Sequence, residues 1–184
     1  MEDFNRLKYI ELCCRDTIQF LTMYKELEPM VTKDGTTVEI EYRNHFWAAT
    51  SNNFIFCSIL RWCSVFGVRN EDTHWQNAFS NDIESTKKEI LGAVNLTESE
   101  WQSAHGIIKD YRDKLIAHAD IGAELDTIAP HLDVMIESAK VIREKAIDAM
   151  SIEYEPELVK TLKHALTNEH CIKEAKHRVA CKNF

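Results

Sequence analysis

An arginine and a histidine stand six residues apart in the run Arg112-Asp113-Lys114-Leu115-Ile116-Ala117-His118. A guanidinium is always charged and offers a phosphate paired N–H donors. An imidazole titrates near neutral pH and can take or give a proton. Together they suit phosphodiester cleavage that needs no metal. His118 would take the proton from a ribose 2′-hydroxyl or give one to the leaving 5′-oxygen, while Arg112 holds the phosphate oxygens as charge grows. A positioned acid or base contributes ~10²–10⁴-fold, and one electrostatic donor ~10²–10³-fold. A plainer reading stands beside this one. In it His118 is a core or interface residue, and Arg112 is a surface residue paired with Asp113 or Asp120.

The element that carries the pair is well marked. Thr97 and Glu100 have the spacing of a capping box, and Leu96 and Trp101 that of a hydrophobic staple, so a helix starts here and runs to about 118–120. The Asn95-Leu96-Thr97 sequon is thereby explained as a helix start. Trp101, Ala104, Ile108, Tyr111 and Leu115 form its apolar stripe, and His118 continues it. Arg112 falls on the adjoining row with His105, Ile116 and Ala119. On α-helical geometry the two groups lie ~120° apart around the axis and ~9 Å apart along it. One chain alone does not force them together; a folded-back Arg or a second protomer would. Arg69-Asn70 and His74 have a similar spacing but straddle a turn and a helix start.

Elsewhere the pattern is that of an all-α bundle. The first helix runs from about Asp3 to Glu28 before Pro29, with Leu7, Ile10, Cys14, Ile18 and Leu21 as its stripe. The stretch near 29–43 breaks the pattern. Lys33-Asp34-Gly35 signals a turn, and Val38, Ile40 and Tyr42 alternate with Glu39 and Glu41, which reads as a long loop or an isolated extended arm. Asn44 caps a second helix, apolar almost all round from Phe46 to Phe66, with Arg61 its only charge and Gly67 at its C′ position. A short helix opened by Asp72 or Thr73 carries Trp75 and Phe79, and another spans Ile83 to Val94. Pro130 opens a helix to about Met150 with Leu132, Met135, Ile136, Ala139, Ile142 and Ile147 as its stripe. Pro156 opens the last. The expectation is an antiparallel bundle of about six to seven helices in one domain, 1–184, with a core over about 44–150 and C-terminal helices over 155–182.

Composition narrows the classes further. Five Gly and three Pro in 184 residues are too few for the turns of an all-β protein. The net charge of −8 disfavours a broad basic surface for nucleic acid but not a local basic cleft. The six cysteines form no CxxC pair, and the acidic N-terminus has no apolar leader, so reduced thiols in the cytoplasm and no membrane span are expected. His164, His170, Cys171, His177 and Cys181 do not have the paired spacing of a zinc site. No Gly-rich phosphate loop occurs, and the ExxH pair Glu71 to His74 lies outside the long helices. No cofactor or metal is expected.

The run Arg112-Asp113-Lys114-Leu115-Ile116-Ala117-His118-Ala119-Asp120 resembles the R-x(4–6)-H motif of the HEPN superfamily, in which a polar residue follows the Arg. Asp113 matches that position. The Ile59-Leu60-Arg61-Trp62-Cys63-Ser64-Val65-Phe66-Gly67 block with His74-Trp75, together with Ala117-His118-Ala119-Asp120, resembles its abortive-infection U-type branch. The resemblance covers about 46–150. It implies a helical bundle that forms a homodimer, with two motifs facing one cleft, and a metal-independent endoribonuclease used in phage defence or as a toxin checked by an antitoxin partner. Arg112, His118 and Asp113 are then the catalytic residues, with Tyr111 and Lys114 against the RNA. Inactive relatives that act as binding modules make a dimeric interaction or regulatory module the alternative. A metal-dependent phosphohydrolase using His118 and Asp120 ranks last, because well-placed further carboxylates are missing.

Overall fold

A computed structural model describes residues 2–33, 36–37, 45–117, 128 and 131–153. These form an all-α bundle of six α-helices: α1 (Glu2–Val31), α2 (His45–Phe66), α3 (Trp75–Ala78), α4 (Ile83–Val94), α5 (Glu98–Tyr111) and α6 (Leu132–Glu153). Helix α1 packs along both α2 and α6, and α4 packs on α6. The expected helices over 155–182 lie outside the described residues.

The apolar stripes seat as their spacing requires. Ile10, Leu21, Ile59, Trp62, Val65, Phe66, Ile108, Met135, Ala139, Ile142 and Ile147 are buried in one continuous core. Each large aliphatic side chain fully removed from water contributes about 1.5–3 kcal/mol before its ordering cost. Trp62 meets the polar requirement of a buried indole by donating Nε1–H to Ser138 Oγ at 2.9 Å, and it stacks on Phe66 at 4.7 Å between ring centroids.

Several boundaries differ from the sequence expectation. Helix α1 does not stop at Glu28 but runs through Pro29 to Val31. A proline removes one backbone donor, and in a last turn that loss is small. The long loop expected near 29–43 is shorter, because Thr32–Lys33 pairs antiparallel with Thr36–Thr37. The Asp34-Gly35 turn between them and the Val38–Tyr42 alternation lie outside the described residues. The cap of α3 is neither Asp72 nor Thr73. His74 holds the extended cap conformation, and its Nδ1 accepts from Gln76 N at 3.2 Å.

Two charges sit inside the bundle. Arg143 Nε on α6 donates to Glu11 Oε1 on α1 at 3.0 Å, with the side chains 5% and 1% exposed. Glu11 Oε2 lies 3.6 Å from the half-buried Arg15. Burial lowers the pKa of Arg143 and the Glu11 carboxylate works against that fall. The pair ties the register of α1 to that of α6.

Among the described residues no helix is long and apolar enough to cross a membrane. Cys13, Cys14, Cys57 and Cys63 are free thiols.

Candidate functional site

The site begins with the start of α5. Thr97 Oγ1 accepts from Glu100 N at 3.3 Å, and Glu100 Oε2 accepts from Thr97 N at 2.8 Å, the reciprocal capping box. The cap fixes which face of α5 turns inward. Ala104, Ile108 and Tyr111 are buried on that face, and Trp101 is half-buried against Trp62 and Phe66.

The α-helix ends at Tyr111, and Arg112–Ala117 form a π turn that packs on α2. A π turn hydrogen-bonds i to i+5 and is common at functional positions. The expectation of a plain α-helix to 118–120 is therefore corrected, and the angle derived for Arg112 and His118 on α-helical geometry does not carry through this stretch. His118 and Asp120 lie outside the described residues.

Arg112 is held on three sides. Its Nε donates to Asp113 Oδ1 at 2.7 Å, and its Nη2 lies 2.6 Å from the same oxygen. It also donates to the Cys63 sulfur. Its Nη1 stands 3.1 Å from the point a Cβ on Gly67 would occupy. Gly67 thus ends α2 as expected, but its reason is space: a Cβ there would also lie 2.3 Å from Cys63 O. Burial works against the charge of Arg112, but Asp113 and Cys63 beside it together outweigh this and its pKa is raised. Burial pushes the Cys63 thiol up to about 11 despite the neighbouring Arg112, so this thiol is neutral at physiological pH.

A guanidinium has five N–H donors. Asp113 engages only the Nε and Nη2 edge. The Arg112 side chain is 20% exposed and lines a cleft of about 560 Å³ with Tyr9, Leu60, Cys63, Ser64, Val68, Glu71 and Thr73. It can therefore keep Asp113 and still meet an anion in the cleft. The ion pairing with Asp113 is also what the plainer reading of Arg112 expects.

The other expected site residues divide. Lys114 is exposed, one residue beyond Asp113. Tyr111 is 4% exposed, and its hydroxyl has no hydrogen-bond partner among the described residues. Burial beside Tyr24 pushes its pKa up to about 12. A side chain so placed belongs to the core, and the expected contact of Tyr111 with RNA does not fit its burial.

Sequence reasoning missed how the end of α2 is built. Gly67 N donates to Cys63 O at 2.9 Å, Thr73 Oγ1 to Ser64 O at 2.7 Å, and His105 Nε2 to Phe66 O at 2.5 Å. His74 also bonds the Phe66 carbonyl. Burial, with His105 and Arg69 nearby, pulls the His74 pKa down to about 4. The signal was present in part, since His105 and Arg112 share one row of α5 and both reach this helix end. Cys13 contacts the cleft residue Tyr9 beside Arg61, and Arg61 Nε lies 3.1 Å from Asp16. Among the described residues no three His, Cys, Asp or Glu side chains converge, and the C-terminal His and Cys residues lie outside them.

No family, no curated protein and no solved structure matches this chain.

Proposed function

We propose that the protein is a metal-independent endoribonuclease of HEPN type. The observation that carries the reading is Arg112: a guanidinium paired with Asp113, on a π turn, with unused donors at the wall of an open cleft. Asp113 orients Arg112, and His118 is the acid and base. One imidazole takes the 2′-hydroxyl proton as the 2′-oxygen bonds to phosphorus. The phosphorus–O5′ bond breaks, and an imidazolium protonates the leaving 5′-oxygen. The products are a 2′,3′-cyclic phosphate and a 5′-hydroxyl. A homodimer supplies two copies of His118 for these two proton transfers. Such chemistry belongs in the cytoplasm, in phage defence or as a toxin with an antitoxin partner.

Incubation with RNA in EDTA tests this. Cleavage with cyclic-phosphate ends is expected, lost in His118→Ala and in Arg112→Ala. Equal cleavage by wild type and His118→Ala, or none by wild type across RNA substrates, refutes it.

A non-catalytic dimeric module is the second reading. It is favoured by Tyr9, Leu60 and Val68, which are exposed at 39%, 44% and 40% and all line the Arg112 cleft. Sedimentation of wild type and Leu60→Asp separates the readings, since a dimer that needs Leu60 but cleaves no RNA supports the module.

A further inference from the structure

We infer that the cleft beside Arg112 is a nucleobase subsite, formed by Tyr9, Leu60 and Val68, which seats one base of a single-stranded RNA while Arg112 holds the adjoining phosphate. The inference rests on the ribonuclease reading and names the part of the substrate which that reading leaves open.

Among the described residues, the large hydrophobic side chains left exposed are Tyr9, Leu60 and Val68, one from α1, one from α2 and one from the turn after α2. All three line the same cleft as Arg112. Scattered exposed apolar residues need no explanation, but a contiguous group in a concavity marks a binding site. The volume of about 560 Å³ falls within the ~300–1,000 Å³ of small-molecule sites.

The chemistry of the lining selects the ligand. A purely apolar ligand would leave the Arg112 guanidinium facing it unsolvated, and a bare phosphate would leave the apolar wall wet. A nucleotide satisfies both, with a flat π-face for Tyr9 and an anion for Arg112. Glu71 adds a carboxylate acceptor on the rim, the partner suited to the exocyclic amine of cytosine.

The walls are fixed before any ligand arrives. The Tyr9 hydroxyl hydrogen-bonds the Cys13 thiol. The turn that carries Val68 and Glu71 has no helix to stiffen it, yet its backbone is tied at several points. Asn77 Nδ2 donates to Arg69 O at 2.6 Å and Glu71 O at 2.8 Å, Glu71 N donates to Val68 O at 3.0 Å, and His74 N donates to Glu71 O at 2.9 Å. Thr73 Oγ1 anchors the turn to Ser64 O at 2.7 Å. Little ordering cost remains to be met on binding.

The test measures binding of cytidine 3′-monophosphate, cytidine and inorganic phosphate to the full chain by calorimetry. The nucleotide is expected to bind roughly 5- to 150-fold more tightly than phosphate, the gain from one stacked base. Tyr9→Ala removes most of that gain and leaves phosphate binding unchanged, while Arg112→Ala weakens both. Leu60→Ala serves as a second surface variant if Tyr9→Ala fails to fold. A nucleotide that binds no better than phosphate, or that keeps its affinity in both Tyr9→Ala and Leu60→Ala, overturns the subsite. So does a dimer that buries Leu60 and closes the cleft to cytidine. Cleavage assays on the same proteins separate the two proposals. Nucleotide binding that depends on Tyr9, without RNA cleavage, refutes the nuclease and supports the subsite. Cleavage with binding indifferent to Tyr9 and Leu60 does the reverse.

Discussion

Replacing Gly67 by alanine tests the geometry on which the site depends. The added Cβ would stand 2.3 Å from Cys63 O and 3.1 Å from Arg112 Nη1, where ordinary contact begins at 3.4 Å. The carbonyl must retreat by about 1 Å, which threatens the 2.9 Å bond from Gly67 N to Cys63 O. Overpacking of this kind costs about 1–3 kcal/mol, and the weakened hydrogen bond about 1 kcal/mol. The stiffer unfolded chain returns about 0.4–1 kcal/mol. The net is a loss of about 1–3.6 kcal/mol, or a fall in Tm of roughly 2–14 °C for a chain of this size.

Urea denaturation of Gly67→Ala beside Gly92→Ala and Gly106→Ala makes the comparison internal. Those two glycines lie in α4 and α5 with nothing within 4 Å of an added Cβ. Alanine there is expected to stabilise by about 0.5–1 kcal/mol. Arg112→Ala removes one of the two clashing groups, so Gly67→Ala should cost less in that background, by about 0.5 kcal/mol or more. Gly67→Ala as harmless as Gly92→Ala, or strict additivity with Arg112→Ala, would refute the close approach.

Four further outcomes follow from the same structure. Glu11→Leu removes the carboxylate paired with the buried Arg143 guanidinium and should cost about 3–5 kcal/mol in urea denaturation, while Glu11→Leu with Arg143→Met recovers most of it; a single variant within 1 kcal/mol of wild type would show the pair to be unimportant. His74 is held neutral, its pKa falling from 6.5 unfolded to about 4 folded. Its contribution is therefore complete above pH 6.5 and lost as pH falls towards 4, about 3 kcal/mol over the whole span, and His74→Asn should flatten that part of the stability–pH curve. Tyr111→Phe deletes a buried hydroxyl without a partner among the described residues, so stability should hold or rise by about 1 kcal/mol with RNA cleavage unchanged, and a drop in cleavage would return Tyr111 to the site. Arg112→Lys keeps a charge but loses the planar fork, so cleavage should fall nearly as far as in Arg112→Ala, with near-native cleavage by the lysine variant the refuting result.

What the sequence disclosed and what it hid follow one division. Features written in neighbouring residues were legible. The Thr97–Glu100 box needs only residues three apart, and the α6 stripe from Leu132 to Ile147 needs only helical periodicity. Arg112 and Asp113 are adjacent, so their pairing was one of the readings on offer. Features that depend on distant partners or on backbone alone were not. The π turn changes the hydrogen-bond register without leaving a residue pattern. The approach of Arg112 to Gly67 joins α2 to the end of α5. The buried ion pair did leave a trace, since Glu11 follows Leu7 and Arg143 follows Ala139 by four residues, which places each charge on an apolar stripe. A charge on such a stripe, matched by an opposite charge on another, was the signal to pair them.

Arg112 stands beside the end of α2. A helix C-terminus carries about half a negative charge, and a cation there is stabilised by about 0.3–1 kcal/mol. Its last carbonyls are already met by Gly67 N, Thr73 Oγ1 and His105 Nε2. Arg112 is therefore not needed to cap the helix, and Asp113 engages only one edge of its guanidinium. A side chain placed solely for stability would have spent its donors on those carbonyls. This one is neutralised enough to remain in place, spared the capping role, and left at the wall of a cleft whose other lining is a phenol ring and two aliphatic side chains. The simplest partner for its unspent donors is an anion attached to something flat and apolar.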